Sequence, residues 1–301
     1  MANSITLAKA YTNLLDEVYR NASVTNDLIS DNALVRAGAN ANEILYPQIS
    51  VSGLGDYDRN SGYTNGSVSV VWKTATFNYD RGSKISVDSM DDEETFGIAF
   101  GQASSTLMTD KVAPEGDAFT FATLAGIPGI SKAAATTYTD ASEFLAALIA
   151  AQNRMDEDEV PMENRFLFIT PTLLGMVQDL DTTKSREVLA RFTQVIAVPQ
   201  TRFYTAIAQK SGKIIVSGEA PSQTTTDETA GGYTKASGGK DINFMIVHKS
   251  AVIQFPKHIA PKVITPEQNQ TADAWKFGYR QVGVADVYEN KTAGIYVHHK
   301  A

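Results

Sequence analysis

The sequence predicts an α+β fold with one long helix, one helix-flanked sheet and extended β-ribbons. A helical apolar pattern that follows four consecutive carboxylates predicts the long helix, and the apolar residues within 165–170 predict a buried strand that passes into a helix. Period-two alternation towards both ends of the chain predicts the ribbons. With 301 residues, the chain can bury a sizeable core without metals or disulfides.

The composition is that of an ordinary globular protein and excludes several classes. Hydrophobic residues at 43% and charged residues at 20% are not those of a collagen-like, coiled-coil or disordered chain. The absence of cysteine excludes disulfides, thiolate zinc sites, iron–sulfur clusters and a cysteine nucleophile. With 26 Lys and Arg against 34 Asp and Glu, the net charge of −8 has the wrong sign for a protein that holds nucleic acid by its overall field.

Neither a signal peptide nor a membrane span is expected. Asp16 and Glu17 stand where a signal peptide would be apolar. The longest apolar run, residues 144–151, is far shorter than the roughly 20 residues that a membrane-spanning helix needs. We therefore expect a soluble product of the cytosol.

Residues 1–43 are predicted to form a short amphipathic helix and an extended arm. The helical pattern collects five apolar positions on one face: Leu7, Tyr11, Leu14, Leu15 and Val18. Residues 21–42 are rich in Asn, Ala, Ser and Asp, which is typical of an arm rather than of a core element.

Residues 44–80 are predicted to form a long two-stranded hairpin. One set of alternating apolar residues lies on the first strand (Leu45, Pro47, Ile49, Val51), and a second set lies on one face of the second strand (Val68, Val70, Trp72). Pro47 restricts the first strand to an edge or a bulge, and a second bulge is expected near Trp72. Because an isolated two-stranded ribbon is marginal in water, we expect this hairpin to lie on another surface.

A long helix is predicted from about residue 91 to residue 111. Its first turn carries carboxylates, which the helix dipole stabilises, and Phe96, Phe100, Ala103 and Leu107 form one apolar seam. We expect the helix to end before Pro114.

The second half of the chain alternates helices and strands. Asp140 and Glu143 have capping-box spacing and predict a helix over residues 141–155, while Thr170 and Pro171 have the sequence of a helix start. Strands are expected at 165–170, 194–198, 213–217 and 243–255, and again at 259–264, 274–287 and 294–298. Residues 222–240 are expected to be a long surface loop.

No catalytic, cofactor or metal site is predicted, and we expect that the protein is not an enzyme. Asp56, Asp58 and Asn60 copy the spacing of a calcium loop, but Ser61 and Ser67 stand where glycine and glutamate are required. These residues are explained as turn formers. Histidine pairs with zinc spacing, nucleophile motifs and glycine-rich phosphate cradles are also missing from the sequence.

The charge is unevenly distributed along the chain. Residues 86–117 hold eight acids and one base, a net charge of −7, whereas residues 44–85 hold four bases and three acids, a net charge of +1. Such complementarity can set the register between subunits. The alternative interpretation, that both segments are solvated faces, stays open at the level of the sequence.

The order of elements resembles the major capsid proteins of tailed bacteriophages with the HK97-like fold. The most specific patches are residues 79–94 (YDRGSKISVDSMDDEE), 112–117 (VAPEGD), 270–277 (QTADAWKF) and 294–298 (GIYVH). The resemblance implies an N-terminal helix and arm at 1–43 and an extended hairpin, the E-loop, at 44–82. It further implies a peripheral domain at 83–138 plus 256–282, with the spine helix, and an axial domain at 139–255 plus 283–301.

This resemblance implies a structural function and a set of partners. The chain would self-assemble through hexamers and pentamers into the icosahedral head shell around phage double-stranded DNA, with a separate scaffolding protein and a portal. It would be located in the virion and assembled in the cytoplasm of the host bacterium.

The expected contacts between subunits join the E-loop to the spine segment. The E-loop residues are Arg59, Trp72, Lys73, Phe77, Tyr79, Arg81 and Lys84. The spine residues are Asp91, Asp92, Glu93, Glu94 and Asp110.

Three other functions stay open at the level of the sequence. An encapsulin-like nanocompartment would share the fold and enclose protein rather than DNA. A soluble α+β enzyme would need a convergent acid–base pair that the sequence does not show. A phage tail or surface-layer subunit would also associate with itself and lack a site.

Overall fold

The computed structural model describes residues 23–30, 36–37, 42–60, 62–94, 98–217 and 224–301. The predicted N-terminal amphipathic helix and the seam residue Phe96 lie outside these ranges. The described strands are β1 (Arg36–Ala37), β2 (Glu43–Val51), β3 (Val68–Thr76), β4 (Tyr79–Asp88), β5 (Ser131–Lys132), β6 (Arg165–Ile169), β7 (Gln194–Ala197), β8 (Ile207–Gln209), β9 (Ile214–Ser217), β10 (Thr224–Asp227), β11 (Tyr233–Lys235), β12 (Ile242–His248), β13 (Val252–Ile264), β14 (Ala274–Val287) and β15 (Ile295–His299). The described α-helices are α1 (Ser89–Glu94), α2 (Ile98–Leu107), α3 (Ala113–Gly126), α4 (Ala141–Glu157), α5 (Pro171–Asp179) and α6 (Thr183–Ala190).

A five-stranded sheet with the order β5-β15-β12-β6-β7 forms the centre of the main core. β6 and β12 are buried along their whole length because helices cover both faces of the sheet. α4, α5 and α6 pack on one face through residues such as Phe144 and Leu148, and α3 packs on the other through Phe121 and Leu124. The predicted helix at 141–155 and the helix start at Pro171 are confirmed, and Asp140 caps α4 by accepting the amide hydrogens of Ser142 and Glu143.

The spine continues beyond the point at which the sequence predicts that it ends. After α2, a π-helical turn (Met108–Val112) leads directly into α3, so the predicted end before Pro114 is wrong. In an α-helix, the proline ring would clash with the carbonyl four residues earlier. The π-helical turn changes the hydrogen-bond register and places Pro114 in the first turn of α3, where its missing amide hydrogen is tolerated.

A second, three-stranded antiparallel sheet with the order β13-β14-β4 packs against this spine. One of its faces buries Phe277 and Tyr279 against Met108 of the π-helical turn. β13 and β14 are long strands of 13 and 14 residues, in register except for an irregularity between Pro256 and His258. The strands predicted near the end of the chain are confirmed, and the predicted strand at 243–255 is divided between β12 and β13 by a 3-10 turn at Lys249–Ala251.

β2 and β3 form the predicted hairpin, with the two-residue β1 beside its base. Their pairing is continuous from Glu43 opposite Thr76 to Val51 opposite Val68, so the bulge expected near Trp72 is wrong. Pro47 lies beyond the short segment that β1 covers, in agreement with an edge position.

The segment expected to be a surface loop at 222–240 contains strands instead. β10 pairs with β9, and β11 pairs with β8, in two short antiparallel ribbons. Threonine-rich β10 shows no period-two pattern of apolar residues, since residues 214–216 and 225–227 of the ribbon are all exposed, and the sequence signal for a strand is therefore missing.

Candidate assembly surfaces

The hairpin carries an exposed apolar face. Its continuous register places Pro47 opposite Trp72, Ile49 opposite Val70, and Val51 opposite Val68. Side chains that are directly opposite each other lie on the same face of the hairpin. Ile49, Val70 and Trp72 are 61%, 52% and 44% exposed. A contiguous apolar surface of this kind is typical of an interaction site.

The other face of the hairpin fixes its base to the body of the molecule. Ile44, Tyr46 and Ala75 are buried in one cluster with Val284 of β14. The ring of Tyr46 meets the ring of Tyr288 edge to face, with centroids 4.9 Å apart. The base is therefore anchored, whereas every described residue from 49 to 60 is exposed.

The predicted contact residues of the hairpin occupy different environments. Arg59 is exposed in the loop between β2 and β3. The ammonium of Lys73 lies 2.9 Å from a carboxylate oxygen of Glu289 in the same chain. Phe77 is half-buried, with its ring centroid 6.4 Å from that of Phe255.

Tyr79, Arg81 and Lys84 are not hairpin residues, contrary to the prediction. The hairpin ends at Thr76, and these three residues lie on β4, which pairs with β14 of the second sheet. Tyr79 is only 7% exposed and packs on Phe119, so its ring is used within the chain. Period-two alternation continues from β3 into β4, and the sequence therefore does not reveal the change of partner strand.

Arg81 also has its partner within the chain. Its Nε lies 2.5 Å from Oε1 of Glu115 on α3, and the Glu115 side chain is largely buried. Lys84 alone of the three β4 residues is exposed, on the sheet face opposite the spine.

The acids of the spine segment divide into a surface group and an internal group. Of the predicted contact residues, Asp91, Glu93, Glu94 and Asp110 are exposed and Asp92 is partly exposed. Four of these residues, Asp91, Asp92, Glu93 and Glu94, lie on α1, and Asp110 lies on the π-helical turn.

Asp117 belongs to the internal group and binds the N-terminal arm. Its carboxylate is fully buried and accepts hydrogen bonds from the hydroxyls of Ser23 and Thr25 and from the amides of Val24 and Thr25. Arg202 Nη1 lies 3.1 Å from Oδ2 of the same carboxylate. Burial raises the pKa of Asp117, and the donated hydrogen bonds oppose that rise. The arm is thereby tied to α3.

The calcium-like loop is organised as a turn. Oδ1 of Asp58 accepts the amide hydrogen of Asn60 at 2.7 Å, and Asp58 and Gly62 form a backbone bridge.

No helix in the described ranges is long and apolar enough to cross a membrane.

Comparisons with known proteins give a fold but no sequence family. No family model matches the sequence, and no curated protein matches it. A solved structure from Mycobacterium phage Che8 is 12% identical, with a TM-score of 0.56 over 92% of this chain and 90% of that chain. The capsid of Cyanophage P-SCSP1u gives 0.55 at 12% identity, over 93% and 88%. The virus-like particle from Pyrococcus furiosus gives 0.58 at 10% identity, over 96% and 98%.

The chain has the HK97-like fold. The predicted α+β class, with its extended hairpin, spine helix and α/β body, is confirmed by this similarity and by the strand order. Of the predicted contact residues, Trp72 lies on the exposed apolar face of the hairpin, and Asp91, Asp92, Glu93 and Glu94 lie on the acidic helix α1.

The sequence alone does not identify two parts of these surfaces. Period-two alternation places Ile49 and Val70 on the two strands of the hairpin. Only the register of these strands shows that both residues lie beside Trp72 in one exposed patch. The internal roles of Glu115 and Asp117 have no sequence signal, because their partners lie far away in the chain.

Proposed function

We propose that this chain is the major capsid protein of a tailed bacteriophage, which assembles into the icosahedral head shell around double-stranded DNA. The observation that carries the proposal is the hairpin, whose exposed apolar face projects from an HK97-like body. A two-stranded ribbon is marginal in water without a partner surface. A neighbouring subunit would supply that surface.

In the proposed contact, apolar burial provides affinity and charge provides register. Trp72 would be the central anchor, since large aromatic residues dominate the energy of interfaces. Arg59 would meet acids of the neighbouring chain, while Lys73, which pairs with Glu289 of its own chain, and Phe77 would support the hairpin at its base. Exposed ion pairs contribute only about 0 to 1 kcal/mol each, so their effect is on orientation.

The proposed domain boundaries follow the resemblance to capsid proteins. Residues 1–43 would be the N-terminal helix and arm, 83–138 plus 256–282 the peripheral domain, and 139–255 plus 283–301 the axial domain. The E-loop, proposed at 44–82, has its paired strands between Glu43 and Thr76. A shell subunit acts through such contact surfaces and needs no catalytic site or cofactor.

The proposed partners are further copies of the chain, in hexamers and pentamers, together with a separate scaffolding protein and a portal. The shell would be part of the virion and would form in the cytoplasm of the host bacterium. The net charge of −8 would keep the subunit from adhering to the enclosed DNA.

A second candidate is an encapsulin-like nanocompartment. The similarity to the virus-like particle from Pyrococcus furiosus, which covers 98% of that chain, fits either kind of shell and does not favour the nanocompartment over the capsid. The two candidates differ in content, since a phage head encloses DNA and a nanocompartment encloses protein.

Sedimentation and negative-stain microscopy of the expressed chain test the proposal. Closed shells or capsomer rings are expected, with a scaffolding protein co-expressed where the chain alone does not close. A monomer that persists at high concentration with its scaffold would contradict the proposal. Packaged protein in place of DNA in particles from infected cells would favour the nanocompartment.

The hairpin contact has a matched pair of variants. Trp72→Ala should reduce the assembled fraction with little dependence on salt, because it removes apolar contact area. Met162→Ala is the control, since Met162 is 48% exposed, close to the 44% of Trp72, and lies away from the hairpin in sequence. Equal assembly of both variants would show that Trp72 is not an anchor.

A further inference from the structure

The outer face of the β13-β14-β4 sheet carries a basic patch. The strand register places Lys84 of β4 and Lys262 of β13 on either side of Gly278 in one cross-strand row. Because a row of adjacent strands shares one face, both ammonium groups lie on the same side. Two inter-strand spacings separate their Cα atoms by about 10 Å. Gly278 leaves the space between them open, since it has no side chain.

The neighbouring rows extend the patch, but their cations already have partners within the chain. The guanidinium of Arg280 binds both carboxylate oxygens of Asp80, at 2.9 and 2.7 Å. The ammonium of Lys276 is held by Asn269 and Thr271. Lys84 and Lys262, by contrast, are exposed and form no ion pair with any residue in the described ranges.

The position of the patch leaves it open for another molecule. The opposite face of the sheet is filled by Phe277 and Tyr279, which pack on the spine. Further along the outer face, Val284 is covered by the base of the hairpin. The row that contains the two lysines lies beyond this covered part.

We propose that this face binds helix α1 of a second copy of the chain. The proposal rests on the proposed shell function and names the surface that a neighbouring subunit occupies. α1 has four acids and no base among its six residues, and Glu93 and Glu94 are exposed. Six residues at 1.5 Å each give a helix about 9 Å long, which matches the separation of the two lysines. A second copy is favoured over nucleic acid because two lysines on a subunit of net charge −8 make a poor phosphate track.

Both halves of this contact belong to one polypeptide. α1 begins at Ser89, directly after β4 ends at Asp88, so the helix lies at the end of the sheet that carries the lysines. Within one chain, no ion pair between described residues joins Glu93 or Glu94 to the two lysines. A contact between two different surfaces of identical chains is head-to-tail, and it closes into a ring when its rotation permits.

Charge reversal with rescue tests the proposal in the assembling full chain. Lys84→Glu with Lys262→Glu should reduce the yield of assembled particles about tenfold at low salt, with a smaller loss at high salt. Glu93→Lys with Glu94→Lys should have a similar effect. The variant that combines all four changes should recover assembly, because the attraction is restored with its signs exchanged.

The control carries the same change of charge elsewhere on the chain. Lys213→Glu with Lys240→Glu alters two exposed lysines outside this sheet and should assemble as the unchanged protein does. Circular dichroism of each unassembled variant must match that of the unchanged chain, so that a loss of assembly is not a loss of fold.

Four outcomes decide the matter. Rescue by the combined variant supports the contact between α1 and the basic face. Normal assembly of the lysine variant overturns it, and so does a loss of assembly that the combined variant does not restore, since the face then binds another acidic partner such as nucleic acid. Failure of the unchanged chain to assemble, even with its scaffold, contradicts the shell function itself and is seen before any variant is made.

Discussion

Acid is expected to destabilise the isolated subunit through His298, a buried residue near the end of the chain. The residue is 2% exposed and its ring stacks on Phe244. The amide nitrogen of Asn243 lies 3.0 Å from Nδ1 and donates to it, and Nε2 lies 2.9 Å from the hydroxyl of Tyr138. Because an amide nitrogen can only donate, Nδ1 must accept, and a proton on Nδ1 would abolish this bond. The fold therefore requires a neutral ring.

The magnitude follows from the two protonation equilibria of His298. Desolvation by burial, with a smaller contribution from His299, lowers the pKa of His298 to about 4, from the usual 6.5. Between these values the unfolded chain binds more protons than the folded chain, so the free energy of unfolding decreases as the pH falls. The full loss is about 3 kcal/mol, of which about 2 kcal/mol falls between pH 7 and pH 4.5.

Urea denaturation of unassembled subunits at pH 7 and pH 4.5 measures this loss. His298→Gln should be less stable than the unchanged chain at pH 7, but its stability should decrease by about 2 kcal/mol less on acidification. His258→Gln is the matched control, because that imidazole is exposed on β13. If His298→Gln and the unchanged chain lose the same free energy between the two pH values, the neutral buried ring is not the cause and the reasoning fails.

Three further variants test contacts within the chain, each by urea denaturation of the unassembled subunit. Arg81→Glu should lower the free energy of unfolding by roughly 2 kcal/mol or more, since it leaves the largely buried Glu115 beside a like charge; an unchanged stability would show that the pair is unimportant. Asp117→Ala should cost about 3 kcal/mol and make the N-terminal arm more sensitive to protease, and equal proteolysis of both proteins would contradict the anchoring role. Gly82→Ala should cost roughly 1 to 2 kcal/mol because the added Cβ would lie 2.8 Å from a carbonyl oxygen of β14, whereas the control Gly278→Ala, whose nearest contact is at 3.8 Å, should cost less.

Local sequence patterns predict those parts of the fold in which one short segment decides the outcome. Asp140 caps α4 as its spacing with Glu143 predicts, because the cap needs only the four residues of the first turn. The two faces of the hairpin likewise follow from period-two alternation, since side-chain direction in a strand depends only on parity. For the same reason, the sequence predicts that Trp72 shares one face of the hairpin with other apolar residues. It does not predict that this face is exposed.

The errors arise where distant parts of the chain decide the local structure. Tyr79 and Arg81 continue the alternation of the hairpin, yet they belong to another sheet because they pair with Gly283 and Gln281 of β14, far away in the sequence. At Pro114, the local rule predicts a helix end, but a π-helical turn absorbs the proline and the spine packs on the second sheet along its continued length. In both cases, the sequence around the affected residue does not indicate which distant strand pairs with it or packs against it.

The distribution of charge shows how burial changes a conclusion that rests on sequence counts. The segment 86–117 has a net charge of −7, but Glu115 and Asp117 are turned inward and matched by Arg81 and Arg202. These two acids therefore act on the stability of one chain and are not available to a neighbour. On α1, a helix of six residues, Glu93 and Glu94 are exposed next to each other. A short, dense charge of this kind restricts the orientation of a contact more narrowly than the same charge spread along a spine, which is why register, rather than affinity, is its expected contribution to assembly.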